Sequence, residues 1–119
     1  MNDNTRAFID ALARLEQSGD ADAIAGLFAE GADVSNPMVK HSAEGEPGAR
    51  AFWTRYREAF DEIRSEFRNV VEDGNVAMLE WTSEGSSDGE PVRYGGVSVL
   101  EHGRDGIRAF RAYFNAAAL

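Results

Sequence analysis

The residues with chemistry to offer are few, and most of them fall at strand positions. Asn36 stands in "DVSNP", where its amide could orient a ligand carbonyl or a water, or satisfy the turn that Pro37 begins. Ser83 follows Trp81 by two residues in "EWTSEG" and so shares a strand face with it. It reads as a second hydrogen-bond donor beside Asn36, or as a buried serine satisfied by a neighbouring carbonyl. Trp81, Phe110, Phe114, Tyr56 and Met38 suit the walls of a pocket for a planar apolar ligand, with the indole and phenol as polar tips, although the same spacings also suit a plain core. Ala112 sits between Phe110 and Phe114 on the same face of the closing "GIRAFRAYF", so that inward face carries no acid.

The titratable candidates are weaker. His41 and His102 are the only histidines, the first in a loop beside Lys40 and the second in "EHGRDG", a turn sequence, and both read as solvated loop residues. Glu80 and Glu84 have the parity opposite to Trp81 and Ser83, so they point outward unless a bulge intervenes. No carboxylate and histidine cluster has metal-ligand spacing, and no glycine-rich loop precedes a helix in a phosphate-binding pattern. With no cysteine there is no disulfide, thiolate nucleophile or sulfur-based zinc site. The expectation is a protein with no metal and no cofactor.

These residues must be positioned by one domain, 1–119, since 119 residues suffice for a single core. The 21 acidic against 12 basic side chains leave a formal charge of −9, which repels nucleic acid and anionic membranes. No Lys/Arg-led apolar stretch opens the chain and no apolar run reaches membrane-spanning length, so the reading is a soluble, cytoplasmic protein.

The first half has helical periodicity. In "NDNTRAFIDALARLEQSGD", Phe8, Leu12 and Leu15 make one stripe, Asn4 or Thr5 can cap the start and Gly19 ends the run. Asp20 begins a second helix, "DADAIAGLFAEG", with Ile24, Leu27 and Phe28 as its stripe. "ADVSNP" is a short strand, "MVKHSAEGEPG" a loop or small hairpin, and "EPGARAFWTRYREAF" a third helix with Pro47 in its first turn and Phe52, Trp53, Tyr56 and Phe60 on one side. From Ile63 the period becomes two: four strands separated by "EDGN", "SSDGE" and "HGRDG" predict an antiparallel meander. Helices followed by hairpins define an α+β domain.

This order of elements, together with "GDADAIAGLFAEGADVSNP", a strand bearing Glu-Trp and the terminal "GIRAFRAYF", resembles the SnoaL-like branch of the nuclear transport factor 2-like superfamily. The resemblance covers nearly the whole chain and implies a cone-shaped fold, with N-terminal helices packed on a curved antiparallel sheet around an apolar pocket. Family members include ketosteroid isomerases, polyketide cyclases and limonene-epoxide hydrolases, and fold alone does not select among them. Matched residue by residue, the isomerase base falls on Asn36 and its oxyanion-hole pair on Leu12 and Val97, so that set is absent. The hydrolase Arg-x-Asp pair falls on Trp81 and Ser83 and its terminal carboxylate on Ala112, with only Asn36 retained. An inward carboxylate of the cyclase kind is not found either.

The reading that follows is a small-molecule-binding protein whose pocket is lined by Asn36, Met38, Tyr56, Trp81, Ser83, Phe110, Ala112 and Phe114, with a small apolar molecule as partner and no resident acid. Two alternatives stand beside it: an enzyme of cyclase, isomerase or hydrolase type recruiting Tyr56, His41 or Glu80, and a homodimeric interaction module with a closed core. A homodimer is expected through the outer sheet face, where Tyr94, Ser98 and Leu100 share one parity and Ala109, Arg111 and Tyr113 another.

Overall fold

In the computed structural model, residues 1–38 and 48–119 are described. Helix α1 (Asp3–Ser18) starts from Asn2, whose Oδ1 accepts the Thr5 N–H at 2.8 Å, two and three residues ahead of the expected caps Asn4 and Thr5. Its end is as read: Gly19 takes a left-handed φ of 79° that favours glycine, and its N–H closes on the Leu15 carbonyl. Asp20 receives the Asp22 N–H at the start of α2 (Asp22–Ala25). That helix is a single turn, shorter than the expected run to Gly31, because Phe28 opens strand β1 (Phe28–Ser35) instead. Pairing with a strand some eighty residues away outweighs the helical spacing of Ile24, Leu27 and Phe28.

Helix α3 (Ala49–Glu58) follows, and then β2 (Glu62–Asp73), β3 (Val76–Ser87), β4 (Glu90–Gly103), β5 (Gly106–Phe114) and a closing 3₁₀ turn, Ala116–Ala118. The expected first-turn position of Pro47, the loop through His41 and Lys40, and any role for His41 lie outside the described residues. The four long strands form the expected antiparallel meander. Asp88 and Gly89, both at positive φ, make the tight turn between β3 and β4. The sheet as a whole is mixed rather than antiparallel, because β1 joins the edge of β5 in parallel, giving the order β1-β5-β4-β3-β2.

Register breaks between Phe67 and Asn69 and between Glu101 and His102 insert extra residues, which is how a sheet acquires curvature. The concave face packs on Phe8, Leu12 and Leu15 of α1 and Phe52 and Trp53 of α3. Hydrophobic burial of this common face is the main favourable term.

The pairing corrects the phase expected for β4. Tyr94 lies opposite Ser83, Ser98 opposite Leu79 and Leu100 opposite Ala77, and directly paired residues share a face, so all three point inward and are buried. Val97, opposite Glu80, is the outward residue. The outer face therefore lacks the Tyr94, Ser98 and Leu100 set and instead exposes Val71, Met78, Val97 and Tyr113. Among the described residues no helix is long and apolar enough to cross a membrane.

Candidate functional site

Between the concave face and the helices lies a cavity of about 340 Å³. All eight pocket residues expected from the sequence line it. Asn36 and Met38 come from the turn that follows β1, Tyr56 from α3, Trp81 and Ser83 from β3, and Phe110, Ala112 and Phe114 from β5. Met38 and Leu119 are both lining and exposed, which places them at the rim.

The aromatic walls form a continuous set. Trp53 meets Phe110 edge-on with centroids 4.9 Å apart, and Trp81 meets Tyr94 likewise at 5.3 Å. Trp81 lies against the backbone of Gly96, where an added Cβ would come within 2.9 Å of its ring and 2.3 Å of the Tyr113 carbonyl oxygen. Glycine is required there by close approach.

The polar tips are committed differently from the sequence reading. The Trp81 indole N–H donates to Ser98 Oγ at 2.9 Å and is buried, so it is not a free tip. Asn36 Oδ1 accepts the Met38 N–H at 2.8 Å, the turn-forming role weighed for it from sequence. The Tyr56 hydroxyl donates at 2.6 Å to Glu16, a residue of α1 that the sequence reading does not single out. Glu16 is 5% exposed. It also accepts the Ser65 N–H at 2.8 Å and the Ser65 hydroxyl at 2.6 Å, and Ser65 Oγ lies 2.6 Å from Ser83 Oγ.

The expectation of a pocket with no inward acid therefore needs amending: a buried carboxyl group stands one hydroxyl behind the cavity wall, on α1 rather than on the sheet. Its signal was present in the spacing, since Glu16 falls four residues after Leu12 and eight after Phe8, on the apolar stripe. Burial, and then the charge of Glu16, push the Tyr56 hydroxyl well above the usual phenol range, and the same two causes raise Tyr94.

The remaining candidates lie elsewhere. Glu80 is on the outer face, where Asn69 Nδ2 donates to it at 2.6 Å, and Glu84 pairs with Arg64, so the parity argument holds and Glu80 is no base for this cavity. Val97, matched to the isomerase oxyanion hole, is outward, and Ser98 occupies the cavity position next to it.

His102 is not a solvated turn residue. It is 8% exposed near the end of β4, because the strands extend to a two-residue connection after Gly103. Its Nε2 is 3.1 Å from Thr5 Oγ1, which gives its own proton to Glu72 at 2.8 Å, so the imidazole is the donor to Thr5. Burial holds the His102 pKa below the ordinary histidine value, against an opposing pull from Glu72. This cluster ties α1 to the sheet and lines no part of the cavity. Among the described residues no group of three or more metal-ligating side chains forms.

The sequence pattern of the SnoaL-like domain family matches residues 5–111. No curated protein matches the chain significantly. Solved structures do. An NTF2-like protein from Anabaena variabilis superposes with a TM-score of 0.82 at 18% identity, covering 96% of this chain and 88% of that one. A protein of ketosteroid isomerase-like fold from Catenulispora acidiphila, solved with trimethylamine, gives 0.77 at 14% identity, covering 93% and 87%. An LEH-like epoxide hydrolase from M. tuberculosis gives 0.72 at 18%, covering 98% and 88%. At these identities the likeness establishes the cone-shaped fold and no activity.

Proposed function

Since the chain belongs to the SnoaL-like domain family, we propose that it binds a small, largely apolar molecule in the cavity of about 340 Å³. The observation that carries this is the concentration of aromatic side chains around a space of ligand size, with the eight residues named from sequence all in its wall. The trimethylamine bound to the fold relative from Catenulispora acidiphila supports the reading that this architecture accommodates small molecules.

Equilibrium dialysis with naphthalene tests it. Wild type should bind, and Ala112→Leu, which fills the cavity from the β5 side, should weaken binding by roughly tenfold or more. Failure of wild type to bind naphthalene and its hydroxy and methoxy derivatives alike, or undiminished binding by Ala112→Leu, overturns the reading.

A second reading, an enzyme recruiting Tyr56, draws on one observation: the Tyr56 hydroxyl is held at 2.6 Å by a buried carboxyl group. The carboxyl would be the proton acceptor and Tyr56 the group facing substrate.

The partner side of the reading is a second copy of the chain on the outer sheet face. Val71 pairs with Met78 and Val97 with Tyr113, so the exposed apolar residues form two adjacent cross-strand rows. Light scattering at micromolar concentration should give twice the chain mass and Tyr113→Glu should lower it, whereas a wild-type monomer excludes this interface.

A further inference from the structure

We propose that Glu16 fixes the hydrogen-bond polarity of the Tyr56 and Ser83 end of the cavity, making it an acceptor site that selects ligands carrying an O–H or N–H group there. The inference rests on the ligand-binding reading above and specifies the chemistry of one end of that ligand.

The argument is a count of protons. Glu16 accepts from three donors: the Ser65 N–H at Oε1, and the Ser65 and Tyr56 hydroxyls at Oε2. A hydroxyl has one proton to give. Ser65 gives its proton to Glu16, so in the 2.6 Å contact between Ser65 Oγ and Ser83 Oγ the donor is Ser83. The proton of Ser83 is thereby committed, as is that of Tyr56. Both residues line the cavity, and what each has left to offer a ligand is oxygen lone pairs.

The direction of the chain is held at its far end. Among the described residues no Lys, Arg or His nitrogen lies within 4.0 Å of Glu16, so these donors are what satisfies it. None of the three can turn toward the cavity without leaving a buried acceptor underserved. A ligand carbonyl or ether oxygen at this end meets lone pairs, while a hydroxyl or amine meets two oriented acceptors. Tyr94 and Ser98, also in the wall, lie outside this chain: Ser98 accepts the Trp81 N–H, and neither hydroxyl proton is drawn toward Glu16.

Exchanging Glu16 for glutamine keeps the shape and reverses the chain. The carboxamide oxygen can still accept the Ser65 N–H, but its nitrogen donates to the hydroxyl oxygens of Tyr56 and Ser65. Ser65 then gives its proton to Ser83, and Ser83 and Tyr56 turn theirs into the cavity.

The test is equilibrium dialysis with three probes: naphthalene, 2-naphthol and 2-methoxynaphthalene. Wild type should bind 2-naphthol about tenfold more tightly than 2-methoxynaphthalene, the worth of one good hydrogen bond. The ratio should fall to about one or invert in Glu16→Gln. In Ser83→Ala it should shrink while the affinity for 2-methoxynaphthalene is kept. Equal wild-type affinities for the two derivatives, or a preference unchanged in both variants, overturn the inference while naphthalene binding leaves the pocket reading intact. If none of the three probes binds, the pocket reading falls and this inference with it. Should Glu16→Gln not fold, the wild-type ratio and Ser83→Ala decide the matter.

Discussion

Glu16→Ala should destabilise the fold by about 3 kcal/mol, seen as a lower denaturant midpoint and a melting temperature reduced on the order of 10 °C. The substitution removes a mostly buried acceptor and orphans three donors at once, the Ser65 amide and the Tyr56 and Ser65 hydroxyls. Each buried donor left unmade costs roughly 1–3 kcal/mol. The two hydroxyls can rotate toward other oxygens, but the Ser65 amide is fixed in β2, which keeps the total well below the sum of three full penalties. Glu16→Gln should lose only about 1 kcal/mol, because its amide oxygen still serves the Ser65 N–H. Denaturant titrations of the three proteins make the comparison. A loss under about 1 kcal/mol for Glu16→Ala would mean that the donors find other acceptors, and the fixed polarity of the cavity would lose its physical basis.

The same residue marks where sequence reasoning stopped. Glu16 lies on the stripe of Phe8 and Leu12, yet a charged residue in the last turn of an amphipathic helix is ordinarily solvated, and nothing in α1 alone reveals that Ser65 and Tyr56 will surround it. The partners come from residues 40 and 49 positions away, on other elements. Local signals did carry the helix end at Gly19, the three hairpins and the inward parity of Trp81, Ser83, Phe110 and Ala112, because a turn type or a period of two is decided within a few residues.

β4 escaped that logic. In "YGGVSVL" apolar residues occupy both faces, Val97 and Val99 on one and Tyr94 and Leu100 on the other, so only pairing with β3 reveals that Tyr94, Ser98 and Leu100 face the helices. β1 escaped it for a related reason. Phe28 satisfies a helical stripe and a strand equally well, and the choice is made by β5, which the chain reaches only at Gly106. His102 was misplaced because "EHGRDG" is turn-rich throughout, whereas the register break after Glu101 keeps the strand going to Gly103 and folds the imidazole under Thr5.

Trp53→Ala should be the most destabilising single truncation in the helical layer, at about 4 kcal/mol. Trp53 is 2% exposed and its ring meets those of Phe52 and Phe110 at 4.9 Å, Tyr56 at 5.6 Å and Phe8 at 5.9 Å, so it joins α1, α3 and β5 through one side chain. Trp53→Phe should lose less than half as much. It keeps an aromatic surface for those edge contacts and removes an indole N–H that is buried without a hydrogen-bond partner among the described residues. Because Trp53 also lines the cavity, the space vacated in Trp53→Ala would join the existing 340 Å³ rather than form a sealed void. An apolar ligand can occupy such an enlarged space, and a ligand that binds only the folded state stabilises it by mass action. Naphthalene should therefore raise the melting temperature of Trp53→Ala by more than it raises that of wild type. Thermal scans with and without the ligand give both quantities. If Trp53→Ala falls within about 1 kcal/mol of wild type, the aromatic cluster does not hold the helices on the sheet. If naphthalene raises both melting temperatures equally, the tryptophan does not bound the space where the ligand sits.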